Sequence, residues 1–257
     1  MAIPKQIFQT WKSHTEIPAN FRYWSQTWKT MNPDYDYVMW DDADNRAFIA
    51  AHFPWFLSIF DSYPRNIQRA DAVRYFYLYY YGGIYADLDF ECLKPIDALI
   101  AAHPSATVLL GAMSGDRAKH YEKKNMIPNA IMMSAPRDPF WLCVMYQLMQ
   151  SYRSVAVEDS TGPGMLYQSI LLYKTRFKTP SVIVGLDRIK QELCTYPPNS
   201  RGDLTILDAK YLYPLSWIDN KSDRISALDQ TDFSALTQSS VTKYPDAYAV
   251  TYWTHTW

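Results

Sequence analysis

The sequence predicts an α/β fold: one domain built on an open, mostly parallel sheet flanked by helices. Helical and strand patterns alternate along all 257 residues, without an internal repeat or a Gly/Ser-rich linker. Apolar residues make up 48% of the chain and charged residues 20%, which is enough apolar surface for one large core. The chain opens in the order strand, helix, strand, helix, which is typical of a parallel sheet.

Local patterns indicate each of these opening elements. Residues 5–11 are rich in β-branched and aromatic side chains and predict a strand, and residues 19–30 predict a helix that an Asn-Pro pair ends. Residues 35–40 alternate between polar and apolar positions and predict a second strand. Asp41 or Asp42 then caps the next helix. Open parallel sheets bind ligands beyond the carboxyl ends of their strands, so polar residues that directly follow a strand are the first candidates for a site.

Residues 65–95 contain the highest density of candidate functional residues. Its first half has helical periodicity and places Asp71 and Arg74 on one face, and a Gly-Gly pair ends the helix. By spacing alone, this Asp and Arg form an ordinary i,i+3 ion pair.

A short apolar strand, residues 84–86, runs directly into Asp87 and Asp89. In an extended segment, residues two apart project to one side, so both carboxylates are expected to face the same space. Such a pair suits Mg²⁺ or Mn²⁺ shared with phosphate oxygens. The alternative is that the two aspartates are solvated turn residues.

The string ADAVRYFYLYYYGGIYADLDFECLKP, with the opening IPKQIFQTWK and the ending HTW, resembles glycosyltransferase family 32. The likeness covers about the first 100 residues and then only short islands. It implies a GT-A fold, a UDP- or GDP-sugar donor, and a divalent metal, usually Mn²⁺ and otherwise Mg²⁺. It also implies that a hexose of the mannose, galactose or glucose type moves, with retention of configuration, to a hydroxyl of a glycan or glycolipid.

The resemblance also assigns roles to single residues. Asp89 corresponds to the metal ligand, and Asp87 to the carboxylate that contacts the ribose and donor-sugar hydroxyls. Asp71 and Arg74 correspond to the pair that positions the donor sugar. Trp11 corresponds to the aromatic residue that stacks on the base. From the sequence alone, Trp11 is equally well explained as a core aromatic.

Further matches lie in the second half of the chain. The resemblance places His255 where the family closes its metal site and Trp257 where an indole N–H reaches the leaving phosphate. Residues 248–257 alternate and are aromatic, which predicts that they dock as a strand. Asn129 matches a polar residue that faces donor or acceptor. Gly162 lies in a glycine-rich turn before a helix and is a candidate for donor binding, with a simple turn and N-cap as the alternative.

Composition limits the remaining possibilities. Lys and Arg number 25 against 26 Asp and Glu, which does not indicate a nucleic-acid partner. The three cysteines lack paired spacing, so neither a zinc site nor a disulfide framework is expected. The sequence shows no secretory signal and no membrane-spanning stretch, which predicts a cytoplasmic protein with peripheral membrane contact as a further possibility.

The whole chain, 1–257, is interpreted as one catalytic domain. A nucleotide-sugar-binding half covers about residues 1–115, and an acceptor and C-terminal closing half covers about residues 116–257. Two alternatives stay open: a toxin-like glucosyltransferase that modifies protein, and a noncatalytic carbohydrate-binding protein. A phosphatase of the haloacid dehalogenase type is disfavoured because Phe90 and Glu91 follow the aspartates.

Overall fold

The fold is described from a computed structural model, which covers residues 2–113, 127–176, 189, 203–216 and 232–254. The strands in these ranges are β1 (Gln6–Thr10), β2 (Asp36–Trp40), β3 (Gly83–Ala86), β4 (Phe90–Cys92), β5 (Val108–Gly111), β6 (Ile131–Ser134), β7 (Leu204–Leu207) and β8 (Ala249–Thr251). The helices are α1 (Ala19–Met31), α2 (Asp42–His52), α3 (Leu57–Ser62), α4 (Asn66–Tyr80), α5 (Asp97–Ala101), α6 (Pro139–Ser151), α7 (Val157–Ser160), α8 (Pro163–Arg176), α9 (Ala209–Leu212) and α10 (Phe233–Lys243).

Six of the strands form one sheet in the order β2-β1-β3-β6-β5-β7. β1 is parallel to β2 and β3, and β5 is parallel to β7. β6 is antiparallel to both of its neighbours, β3 and β5. Five strands therefore run in one direction and β6 in the other, with apolar clusters between the sheet and its helices. The prediction of a mostly parallel α/β sheet flanked by helices is confirmed.

The opening elements match their predicted ranges to within one residue at each end. Asp41 caps α2: its carboxylate accepts hydrogen bonds from the N–H groups of Ala43 and Asp44 at 2.9 and 3.0 Å. The Asp44 carboxylate accepts in return from the N–H of Asp41, completing a capping box. Local chemistry thus fixes where α2 begins, at the carboxyl end of β2.

The Gly82-Gly83 pair ends α4 and starts β3. Their φ angles are +70° and +90°, a region that residues with a Cβ rarely adopt. At Gly83 a Cβ would also lie 2.6 Å from the carbonyl oxygen of Gln6 on β1. Both the backbone conformation and the close approach of β3 to β1 therefore require glycine here.

Helix α4 is enclosed on every side. All residues from 70 to 79 are buried, because α4 lies against β3 and is surrounded by α2, α3, α6 and α7. The charged pair Asp71 and Arg74 consequently lies inside the protein.

The two remaining strands, β4 and β8, form a separate antiparallel ribbon. Phe90 pairs with Thr251, so the residues after β8 run back past the aspartates that precede β4. The predicted C-terminal strand is thus confirmed over Ala249–Thr251, and residues 255–257 lie outside the described residues.

Cys92 and Cys143 are buried and not in a disulfide. Within the described ranges, the structure contains no helix with the length and apolarity needed to cross a membrane.

Candidate active site

The paired aspartates follow β3 in a turn. The N–H of Phe90 donates to the carbonyl of Asp87 at 3.1 Å, and residues 88 and 89 form the turn. The prediction of an extended Asp-x-Asp segment is therefore wrong. The chain bends here because it leaves the main sheet for the β4–β8 ribbon. Aspartate is favoured at the first position of such a turn.

Asp87 is held from several directions at the edge of the sheet. Its Oδ1 accepts from the hydroxyl of Tyr85 at 2.7 Å and lies 3.1 Å from Nη1 of Arg74. Its backbone N–H donates to the carbonyl of Ala130 at 2.7 Å, and its carbonyl accepts from Nε2 of Gln9 at 3.1 Å. The carboxylate is 15% exposed, so it combines a fixed position with access to solvent.

Arg74 lies beneath this carboxylate and is 1% exposed. Its Nη2 lies 3.1 Å from Oδ1 of Asp71, and its Nη1 also donates to the carbonyl of Asn129 at 2.9 Å. The guanidinium stacks over the ring of Tyr85 at 4.5 Å. Burial alone would lower the pKa of Arg74, but the neighbouring carboxylates outweigh it and raise the pKa. The guanidinium is a permanent positive charge between two aspartates.

Asp71 is the deepest of the carboxylates, at 5% exposed. It accepts from Nδ2 of Asn129 at 3.0 Å and from Oγ1 of Thr161 at 3.3 Å. Burial, offset in part by Arg74 and reinforced by Asp87, raises the pKa of Asp71 to about 6. The i,i+3 ion pair expected from spacing is present, but it belongs to a buried network that reaches three further segments of the chain.

Asp89 lies at the other end of the turn and is partly exposed. Its Oδ2 accepts from the N–H of Thr254 at 3.0 Å and from the Thr254 hydroxyl at 3.3 Å. Burial, and then the charge of Asp87, raise the pKa of Asp89 to about 6. The end of β8 thus reaches the site through Thr254.

The balance of charge fits a divalent cation. The carboxylates of Asp71 and Asp87 each lie 3.1 Å from the guanidinium of Arg74, and the carboxylate of Asp89 lies at the other end of the same turn, where it accepts from Thr254. Burial is the main cause of the raised pKa of Asp71 and of Asp89, and the charge of Asp87 adds to it at both, so a cation bound here would favour their charged forms. Carboxylate oxygens that reach solvent are the ligand type that Mn²⁺ and Mg²⁺ prefer.

Of the other predicted donor-binding residues, Asn129 lies within the network, bonded to Asp71 and to the hydroxyl of Tyr75 at 2.9 Å. Trp11 follows β1, is 4% exposed and donates its Nε1–H to the carbonyl of Glu16 at 2.9 Å. The stacking role of Trp11 stays a prediction.

Gly162 lies against helix α7. A Cβ at this position would be 3.0 Å from the Cα of Glu158, and the Gly162 N–H donates to the carbonyl of Val157 at 3.0 Å. The neighbouring Thr161 is the member of this turn that contacts Asp71. The donor-binding role of Gly162 stays a prediction, as do the roles of His255 and Trp257, which lie outside the described residues.

Several residues of the site were not predicted from the sequence. Tyr85 lies two residues before Asp87, so strand alternation, which puts them on one side, could have found it. Tyr75 lies on α4 four residues after Asp71, so helical spacing could have found it. Thr161 and Thr254 reach the site from distant segments.

A second group of possible metal ligands lies apart, at the start of α2. Ligand atoms of His14, Asp41 and Asp44 are within 4.8 Å of one another, with Nε2 of His14 2.7 Å from Oδ2 of Asp44. Both carboxylates already serve as the helix cap. The hydrogen bond between His14 and Asp44 connects the loop after β1 to α2.

A known protein family matches the part of the chain that contains these residues. Residues 18–106 match the family model described as a glycosyltransferase sugar-binding region containing a DXD motif. This range includes the network from Asp71 to Asp89 and confirms the resemblance noted in the sequence.

Similar curated proteins are mannosyltransferases. Inositol phosphoceramide mannosyltransferase 3 of Schizosaccharomyces pombe is 43% identical over 66% of this chain and 45% of its own length. Inositol phosphoceramide mannosyltransferase 2 of the same yeast is 36% identical over 73% of this chain and 51% of its own length. A mannosyl phosphorylinositol ceramide synthase of Saccharomyces cerevisiae is 36% identical over 69% of this chain and 44% of its length. The chain spans about half the length of these relatives.

Among solved structures, the PaToxG glycosyltransferase aligns with a TM-score of 0.47 and 19% identity, over 74% of this chain and 78% of its own. Mouse xyloside xylosyltransferase 1 aligns with a TM-score of 0.42 and 10% identity, over 96% and 97%.

Proposed function

Since the chain belongs, over residues 18–106, to the DXD-containing glycosyltransferases, we propose that it is a metal-dependent enzyme that transfers a hexose from a UDP- or GDP-sugar to a hydroxyl group of a glycolipid. The observation that carries the proposal is the cluster of Asp71, Arg74, Asp87 and Asp89 at the carboxyl end of β3. Ligands of open α/β sheets bind at this edge. Mannose is the first hexose to test, because the similar curated proteins are named as mannosyltransferases.

Asp89, joined by the predicted ligand His255, would hold the divalent ion. When bound, such an ion neutralises negative charge on the diphosphate of the donor. The chain's own contribution is to fix Asp89 through Thr254, which donates two hydrogen bonds to one carboxylate oxygen. The other oxygen of the carboxylate is the candidate ligand atom.

Asp87 would bind hydroxyl groups of the donor. Its carboxylate is partly exposed, and Tyr85 and Arg74 fix its position. A carboxylate accepts hydrogen bonds from hydroxyl groups, and a rigid one selects a single orientation of the ring. Arg74 is too deeply buried to be the main contact, and we propose that it chiefly holds Asp71 and Asp87 in place.

Transfer breaks the bond between the anomeric carbon and the leaving phosphate oxygen and forms a bond to the acceptor oxygen. The anomeric carbon gains oxocarbenium character, as in other glycosyl chemistry. The acceptor hydroxyl would attack from the face that the leaving group occupies, and its proton would pass to the departing phosphate. This route retains the configuration, and the indole of Trp257 is predicted to assist by donating to the same phosphate.

The donor is tested by measuring release of nucleoside diphosphate from a panel of UDP- and GDP-sugars, with Mn²⁺ and with EDTA. Metal-dependent release from one donor would name the base and the sugar. If no donor is turned over and none binds in the presence of Mn²⁺, the proposed function is refuted.

The acceptor is tested separately with the labelled donor. We propose a lipid acceptor of the inositol phosphoceramide type, because two similar curated proteins are named for that substrate. Labelled sugar should then appear in the lipid fraction, and NMR of the product linkage should show retention. Label in protein would favour the toxin-like alternative instead. Peripheral membrane contact and a cytoplasmic location stay predictions.

A further inference from the structure

A buried carboxylate outside the cluster, that of Glu91, lies on β4 two residues after Asp89. It is 0% exposed, and within the described residues its partners are hydroxyl groups: Thr237 Oγ1 donates to Oε1, and the hydroxyl of Tyr252 donates to Oε2. A carboxylate buried without a cation costs stability compared with a packed apolar side chain. The burial of Glu91 therefore requires an explanation in the segments that its hydrogen bonds connect.

The two hydroxyl partners belong to different segments. Thr237 lies on α10 and is 3.0 Å from the hydroxyl of Tyr23 on α1. Tyr252 directly follows β8, and its hydroxyl is 3.1 Å from Oγ of Ser240, also on α10. Through these hydrogen bonds, Glu91 on β4 connects α1 and α10 to the segment that follows β8.

The segment that follows β8 contains a residue with a strained backbone conformation. Trp253 has a φ of +51°, a conformation that is unfavourable for a residue with a side chain and persists only where neighbouring contacts enforce it. Its indole N–H donates to the carbonyl of Leu215 at 2.7 Å. On one side of it Tyr252 is held by Glu91, and on the other Thr254 donates to Asp89.

The left-handed residue turns the chain back toward the turn that holds the paired aspartates. The N–H of Tyr252 donates to the carbonyl of Asp89 at 3.3 Å, and Thr254 donates to its carboxylate from both the N–H and the hydroxyl. The β4–β8 pairing has already ended at Thr251. Beyond that point, contacts such as Glu91 with Tyr252 keep the segment in register with Asp89.

We infer that Glu91 is a positioning residue for the active site: by fixing Tyr252 it supports the left-handed Trp253 and so keeps Thr254 on the carboxylate of Asp89. The role of Glu91 in placing Thr254 is inferred from the structure and does not depend on the proposed function. The consequence for metal binding rests on the proposed function.

The first test is amide hydrogen exchange at Thr254 in Glu91→Gln and Tyr252→Phe. The first variant keeps the shape of the side chain, and the second keeps the aromatic ring. Exchange at Thr254 should become about tenfold faster in both, as expected for the loss of one charged hydrogen bond in the support. Tyr77→Phe is the matched control, because it also removes a buried hydroxyl that donates to a side-chain oxygen, here that of Asn45 on α2.

The second test is Mn²⁺ affinity, measured by electron paramagnetic resonance of the free ion without any turnover. Loss of a group that orients a metal ligand weakens binding by roughly 10–100-fold, and Glu91→Gln and Tyr252→Phe should fall in this range. Tyr77→Phe should bind Mn²⁺ like the wild type although it loses comparable stability.

Unchanged Thr254 exchange in both test variants would overturn the inference. Wild-type Mn²⁺ affinity in them would overturn its metal-binding consequence. If the wild-type protein binds neither Mn²⁺ nor a donor in the presence of Mn²⁺, the proposed function fails, and the exchange experiment alone decides the role of Glu91. If Glu91→Gln does not fold, Tyr252→Phe decides, because its ring still stacks on Trp24 with centroids 4.7 Å apart.

Discussion

Replacing Asp71 by asparagine should change how the stability of the metal-free protein depends on pH. The carboxyl pKa of Asp71 is raised from 3.8 to about 6 in the folded state, chiefly by burial. Between these values the folded state binds more protons than the unfolded state, so the free energy of unfolding falls as pH rises from about 4 to about 6. A shift of about 2 units at about 1.4 kcal/mol per unit gives about 3 kcal/mol.

The Asp71→Asn variant lacks this titration but can still accept from Asn129. Its free energy of unfolding, measured by urea denaturation in EDTA at pH 4 to 7.5, should therefore fall by about 3 kcal/mol less than that of the wild type. Asp61→Asn is the matched control: Asp61 is exposed and paired with Arg46, and its pKa is lowered, so this variant should not flatten the curve in that range. Parallel curves for the wild type and Asp71→Asn would refute the assignment of a raised pKa to this carboxyl.

Three further substitutions test the same architecture. Arg74→Met leaves buried carboxylates without their cation and should destabilise the protein by about 3–5 kcal/mol at pH 7, less at pH 5, in urea denaturation; a loss below about 1 kcal/mol would contradict the buried ion pairs. Gly83→Ala forces a side chain to a φ of +90° and against the carbonyl of Gln6, and should cost at least about 1–3 kcal/mol by thermal denaturation, whereas tolerance would show that β3 can move away from β1. Tyr85→Phe removes the hydroxyl that donates to Asp87 but keeps the ring, and should cost about 1.5–3 kcal/mol and raise the KM for the donor; an unchanged KM would separate Asp87 from donor binding.

The elements that the sequence predicts well are those that local chemistry determines. The opening strand-helix-strand-helix segment is confirmed to within one residue at each end, because its strand patterns, the Asn-Pro stop and the Asp41 cap all act over a few residues. The end of α4 at Gly82-Gly83 is likewise predictable, because both residues have a backbone conformation that only glycine adopts easily.

The features that sequence reasoning missed depend on contacts between distant segments. Spacing predicts an ordinary i,i+3 ion pair for Asp71 and Arg74, but four other helices and strands β3 and β6 pack against α4 and bury residues 70–79, so the pair belongs to a core network. The turn at Asp87 exists because β4 pairs with β8, about 160 residues away in sequence. The same pairing brings Thr254 to Asp89, and no pattern near either residue indicates it.

The central claim is tested most directly by Mn²⁺-dependent release of nucleoside diphosphate from the preferred donor, measured side by side for the wild type, Asp89→Ala and Asp61→Ala. The wild type and Asp61→Ala, which alters an exposed carboxylate, should release the product at similar rates. Asp89→Ala should fall to the rate measured with EDTA while circular dichroism shows that it remains folded. Wild-type release by Asp89→Ala would show that this aspartate does not hold the metal and would contradict the proposed site.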